Sequence, residues 1–123
     1  MRVSILSLLL TACFAENCNQ NDLAMWRGNR EFTKNFEKIA RSSAGSRSKA
    51  LKLFREKYYP NMTPECAECH ADMVGCGGNK CLVYCANGPA SLECRQCVLV
   101  HCIPGYRTCL GYEGADLPLA PVV

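Results

Sequence analysis

Residues 66–109, CAECHADMVGCGGNKCLVYCANGPASLECRQCVLVHCIPGYRTC, hold nine of the chain's eleven cysteines, and their spacing decides the fold. Cys66, Cys69, Met73 and Cys76 recur at three- and four-residue steps behind Thr63-Pro64-Glu65. That triplet is an N-cap, an N1 proline and an early acid, so a helix is predicted to begin there. Gly77-Gly78 reads as its stop. A short helix over 80–86 then carries Cys81 and Cys85 one turn apart, Asn87-Gly88-Pro89 turns the chain, and Ser91 caps a helix over 92–103 that Pro104-Gly105 closes. Two antiparallel helices joined by so short a turn can be stapled twice, and Cys81–Cys97 and Cys85–Cys94 are the expected pairs. The remaining connectivity stays open, because spacing alone does not choose among the pairings of so many cysteines. The run Cys66-x2-Cys69-x6-Cys76-x4-Cys81 is echoed by Cys94-x2-Cys97-x4-Cys102-x6-Cys109, which reads as a duplicated helical unit stacked on its copy.

Upstream of this stretch the apolar period is again helical. Met25, Gly28, Phe32, Phe36 and Ile39 place a core-facing stripe on a helix over 22–41, and Ser42-Ser43-Ala44-Gly45-Ser46 breaks it. Ser48 caps a second helix with Leu51, Phe54 and Tyr58 on one face, which Pro60 ends. No run of β-branched residues reads as a strand. The fold class is therefore all-α: a small disulfide-stapled domain of about five short helices over 16–112, with a basic helical half (22–59) and a cysteine-rich half (63–112). The tail, 113–123, contains Pro118 and Pro121 and no helical period, and is expected to be disordered.

The amino terminus sets the compartment. Met1-Arg2, the apolar run from Val3 to Leu10 and Cys13-Phe14-Ala15 have the form of a secretory signal over 1–15, cleaved after Ala15. The alternative is a lipobox, Leu10-Thr11-Ala12-Cys13, in which Cys13 becomes the lipidated first residue of a membrane-anchored lipoprotein. Either way Cys13 leaves the count. Cys18, Cys66, Cys69, Cys76, Cys81, Cys85, Cys94, Cys97, Cys102 and Cys109 remain, an even set at the density of a disulfide scaffold in an oxidising, extracellular setting. Asn61-Met62-Thr63 is an N-glycosylation sequon in an interhelical loop, with Pro64 behind it to lower its use.

Charge is segregated along the chain. Residues 27–57 carry ten basic and three acidic side chains, whereas residues 58–123 carry three basic and six acidic ones. Arg47, Lys49, Lys52, Arg55 and Lys57 surround the stripe of the second helix, the composition of a basic amphipathic helix that lies on an anionic membrane. The competing expectation is that this helix packs on the core with its charges solvated. No nucleic-acid partner is expected.

Cys66-Ala67-Glu68-Cys69-His70 has the letters of a c-type haem attachment site, with Met73 or His101 left to supply a sixth ligand. Cys66-x2-Cys69 and Cys94-x2-Cys97 are spaced like zinc pairs. Both readings compete with oxidation of the same thiols, and the expectation is disulfides with no cofactor. Thioredoxin-like chemistry would need a strand before its cysteine pair. His70 and His101 sit in no recognisable nucleophile motif, so the protein is not expected to be an enzyme. Trp26 reads as a core residue before an exposed anchor.

Cys18-x3-Asp22-Leu23-Ala24-Met25-Trp26, the later cysteine spacings and the closing Cys109-Leu110-Gly111-Tyr112 resemble small secreted cysteine-rich proteins of dinoflagellates and related protists. The resemblance spans most of the mature chain. It departs over 40–54, where those proteins carry about four further cysteines and this chain has a Ser-rich loop and a basic helix. It implies secretion and disulfides and no particular activity. The functional expectation is an extracellular interaction or signalling module with an unknown protein or surface ligand as partner. The alternatives are a membrane- or lipid-active basic helical protein and a haem or metal protein through Cys66, Cys69 and His70.

Overall fold

The computed structural model describes residues 17–88, 90–114 and 116–118. The signal sequence, its cleavage after Ala15 and the lipobox cysteine Cys13 lie outside the described residues. Six helices and no strand occur among those described: α1 Gln20–Trp26, α2 Arg30–Ser43, α3 Arg47–Lys52 running into a π-helical turn Leu53–Tyr58, α4 Pro64–Lys80, α5 Leu92–His101 and α6 Ile103–Leu110. The fold is all-α, as the sequence period requires.

The expected helix over 22–41 is two helices. Gly28 takes φ +61°, the left-handed conformation that ends α1, and Asn29 caps α2 by accepting from the Glu31 and Phe32 amides at 2.9 and 3.3 Å. Asn19 and Asp22 form a reciprocal capping box at the start of α1. The cap of α3 is Ser46, two residues before the expected Ser48. Thr63 makes no side-chain cap at α4. Its hydroxyl instead donates to Asp22 Oδ2 (2.5 Å), and its amide donates to Asp22 Oδ1 (3.0 Å), which ties the buried Asp22 carboxylate across to the start of α4.

Gly77-Gly78 does not stop α4, which runs on to Lys80. These glycines permit a close approach instead: a Cβ on Gly78 would meet Gly45 Cα at 2.7 Å, and one on Gly75 would meet Arg47 Cβ at 2.9 Å, so the α2–α3 loop and the first turn of α3 cross α4 at near backbone contact. Gly78→Ala is expected to lose about 1–3 kcal/mol, because the obstructing atoms belong to backbone. Gly77→Ala, with open space at its Cβ, is expected to gain about 0.5–1 kcal/mol. Urea unfolding of the two variants measures the contrast.

The separate helix expected over 80–86 does not form. Lys80 ends α4, and 81–87 is a bend and a series of turns held to α5 through the Cys81–Cys97 and Cys85–Cys94 bridges, the two pairs read from the spacing. The helix expected to reach 103 ends at His101, and Pro104 opens α6 where it was expected to close α5, since a proline in the first turn forfeits no intrahelical bond.

All ten cysteines among the described residues are paired: Cys18–Cys66, Cys69–Cys109, Cys76–Cys102, Cys81–Cys97 and Cys85–Cys94. The last four are concentric about the turn before α5. The spacing is thus a mirror image, x6, x4, x3 on one arm and x2, x4, x6 on the other, and not the duplicated unit it resembles in sequence.

The five bridges join α4 to the segment before α1, to α5 and α6, and the turns to α5; α2 and α3 have none. Those two helices are held by packing of Phe32, Phe36, Ile39, Ala50 and Phe54 into the core, supported by an Arg47–Asp72 ion pair from α3 to α4. The tail expected to be disordered from 113 has its first part against this body: Arg107 Nη1 donates to the Gly114 carbonyl at 2.6 Å, Asp116 lies 3.5 Å from Arg27, and Pro118 is buried. Residues 119–123 lie outside the described residues.

Candidate functional site

The haem-like motif opens α4, and the fold turns it inward. Cys66 is bridged to Cys18 and Cys69 to Cys109, so both thiols that haem attachment requires are in disulfides. His70 is fully buried among Trp26, Phe32, Phe36, Phe54 and Tyr106, with ring centroids 5.1–6.2 Å away. Its Nδ1 lies 2.6 Å from the Tyr106 hydroxyl and its Nε2 lies 3.6 Å from Cys66 Sγ. One tautomer satisfies every group: Tyr106 donates to Nδ1, and Nε2–H points at the sulfur, a weak acceptor. Burial pushes the imidazole pKa down to about 3, against a smaller upward pull from the Asp22 carboxylate, and pushes the Tyr106 phenol well above its usual value.

Sγ of Cys18, Sγ of Cys66 and a His70 ring nitrogen lie within 4.8 Å of one another. That is the spacing of a three-ligand metal centre, but two of the three are the sulfurs of one disulfide, and a thiolate is the metal-binding form. The zinc-like pair Cys94 and Cys97 is likewise bridged, to Cys85 and Cys81. His101 is exposed at the end of α5, away from any such group. Trp26 is a core residue, 1% exposed. Asn61 is exposed in the turn between α3 and α4, the access a glycosyltransferase needs.

The basic helix divides in two. Lys49, Lys52, Arg55 and Lys57 are exposed, whereas Phe54 is fully buried and Leu51 and Tyr58 are half-buried against the core. The apolar stripe that a surface-lying helix would insert into lipid is therefore engaged with the protein interior.

Two features lay beyond the reach of the sequence reading. A cleft of about 550 Å³ lies between α2, α4, α5 and the turns after Cys81, with a mostly apolar lining in which Glu37, Arg41 and Arg95 are the charged side chains. The second is a set of exposed large apolar side chains confined to one stretch: Leu82, Val83 and Tyr84 on the turns, and Leu92, Leu99 and Val100 on α5. Their signal was visible in part, since Leu92, Leu99 and Val100 fall on the side of α5 opposite Cys94, Cys97 and Val98.

Fold and site together define a disulfide-stapled helical domain with a ligand-sized cleft beside an exposed apolar segment. No family model matches the chain, and no similar protein was found among curated proteins or solved structures. No helix among the described residues is long and apolar enough to cross a membrane.

Proposed function

We propose that the protein is a secreted binding module that meets a protein partner through the apolar side chains displayed on its 82–100 segment. The observation that carries this reading is their concentration: among the described residues the six exposed large hydrophobics, Leu82 to Val100, lie on or directly beside the segment closed by Cys81–Cys97 and Cys85–Cys94. Side chains held by covalent staples lose little freedom on binding, which favours recognition. A small secreted domain has few large apolar residues to give its core, so a cluster turned outward is the mark of a contact surface.

The chemistry of the segment favours protein over lipid. Between 82 and 100 the charged side chains are one acid and one base, Glu93 and Arg95, so the surface has no electrostatic pull toward anionic headgroups. The exposed cations of α3 support a second reading, docking on an anionic membrane surface. With Phe54 buried, that contact would rest on charge alone and weaken steeply with salt. Five disulfides and the resemblance to secreted protist proteins support an extracellular setting.

Labelled protein applied to intact cells of the secreting organism is expected to bind saturably. Mild protease treatment of the cells should remove that binding, and Val83→Ser/Leu99→Ser/Val100→Ser should weaken it at least about tenfold. Binding that survives protease and disappears at high salt would assign the contact to α3 and the membrane. Non-saturable binding would end the module reading.

A further inference from the structure

We infer that the cleft between α2, α4 and α5 is a binding site for a small molecule with an apolar chain and an anionic head, of the class of the medium-chain carboxylates. Its volume, about 550 Å³, falls within the range of small-molecule sites, and a cleft this size is large for so small a domain. Phe36, Ala40, Met73, Val74, Leu82 and Val98 line it, presenting aliphatic and aromatic carbon from three helices and the turn. A polar solute would find few partners on that floor. An alkyl chain would exchange water for hydrocarbon along its length.

The edge supplies the sign of the head group. Glu37 and Arg41 are charged side chains of the cleft's α2 wall, and the largely exposed Arg41 guanidinium is the group placed to take an anionic head. Arg41 sits one helical turn after Glu37, and its Nε and Nη2 both donate to Glu37 Oε1, at 3.2 and 2.9 Å. The same guanidinium reaches from α2 toward the far wall, where a Cβ on Gly88 would lie 3.2 Å from Nη2. A guanidinium has five N–H donors in a planar fork, so a carboxylate at the mouth can be met by donors that Glu37 does not engage. The apolar floor and the cationic fork together describe an amphiphile with its chain inside and its acid at the edge.

Gly77 provides the decisive variant. It lines the cleft, it is helical, and a Cβ built on it meets nothing within 4 Å. Gly77→Leu therefore starts its side chain from open space at the cleft wall and raises the helix propensity of the last turn of α4. The site shares Leu82 with the surface proposed above, whereas Leu99 and Val100 do not line it.

Calorimetric titration of dodecanoate, below its micelle concentration, into the intact oxidised protein is expected to show saturable binding of one molecule per chain in the micromolar range. Dodecyltrimethylammonium should bind at least about tenfold more weakly. Gly77→Leu should abolish binding with thermal unfolding at or above that of the unmodified protein. Arg41→Gln should weaken dodecanoate about tenfold while changing dodecanol little. Leu99→Ser/Val100→Ser should leave dodecanoate affinity unchanged. Absence of saturable binding, equal affinity for the cation, full binding by Gly77→Leu or loss in the Leu99→Ser/Val100→Ser variant would each overturn the assignment.

Discussion

Taking the protein from pH 7 to pH 4 is expected to lower its unfolding free energy by about 3 kcal/mol through His70 alone. In the fold the imidazole pKa is near 3, because burial excludes the charged form; in the unfolded chain it returns to its ordinary value near 6.5. Between those values the unfolded chain binds a proton that the fold refuses. Stability is thus undiminished by this group above about pH 6.5 and falls by about 1.4 kcal/mol per pH unit below it, levelling off near the folded pKa. The measurement is a set of urea unfolding curves over pH 4–7 for the unmodified protein and for His70→Gln. The variant is less stable throughout, having lost the ring contacts, but its curve should be flatter by that amount. Carboxylates titrate in both proteins and largely cancel in the difference. A difference that does not change with pH would mean that the imidazole is solvated in the fold, and one that grows in favour of the unmodified protein as pH falls would mean that it is paired there as a cation.

Removing the Cys18–Cys66 bridge is expected to be the other large loss, about 4 kcal/mol from chain entropy for its sequence separation of 48. The Cys85–Cys94 bridge, separation 9, should cost about 2.7 kcal/mol by the same relation. Double alanine variants, C18A/C66A and C85A/C94A, leave no stray thiol and allow the comparison by guanidinium unfolding. The first also leaves the buried His70 Nε2–H facing no sulfur, so its deficit should exceed the entropic figure. Equal losses from the two pairs would show that loop closure does not set the scale here and that local contacts around each bridge do.

Which features were legible in the sequence follows from how local their causes are. The starts of α4 and α5 were read to the residue, behind Thr63 and Ser91. The stapled pairs Cys81–Cys97 and Cys85–Cys94 were legible because one turn of chain separates their arms. The break at Gly28-Asn29 was missed because the stripe from Met25 to Ile39 keeps its phase across it. Its signal was present, a glycine able to adopt positive φ before an asparagine able to cap. Pro104 was read as a terminator because proline ends one helix and begins the next by the same chemistry. Met25 and Ile39 look alike in a sequence, whereas the Gly45–Gly78 approach depends on where α4 passes, and that is decided by the whole bundle. The cleft was illegible for the same reason, being assembled from residues 36 to 98. Cys66-Ala67-Glu68-Cys69-His70 was legible as letters and misleading as chemistry: the distant partners Cys18, Cys109 and Tyr106 determine what those groups do.

The concentric arrangement of Cys69–Cys109, Cys76–Cys102, Cys81–Cys97 and Cys85–Cys94 bears on how the chain reaches its native state. No bridge crosses another, and Cys18–Cys66 lies wholly outside the set. Once Cys85–Cys94 closes, Cys81 and Cys97 are neighbours through it, and each closure in turn shortens the path to the next. Oxidation can advance outward from one turn like a zip, with little loop entropy lost at any step after the first. Nothing has to be threaded. The correct partner of each thiol is, at each stage, the nearest free thiol on the opposite arm, so that the order of assembly is written into the spacing itself.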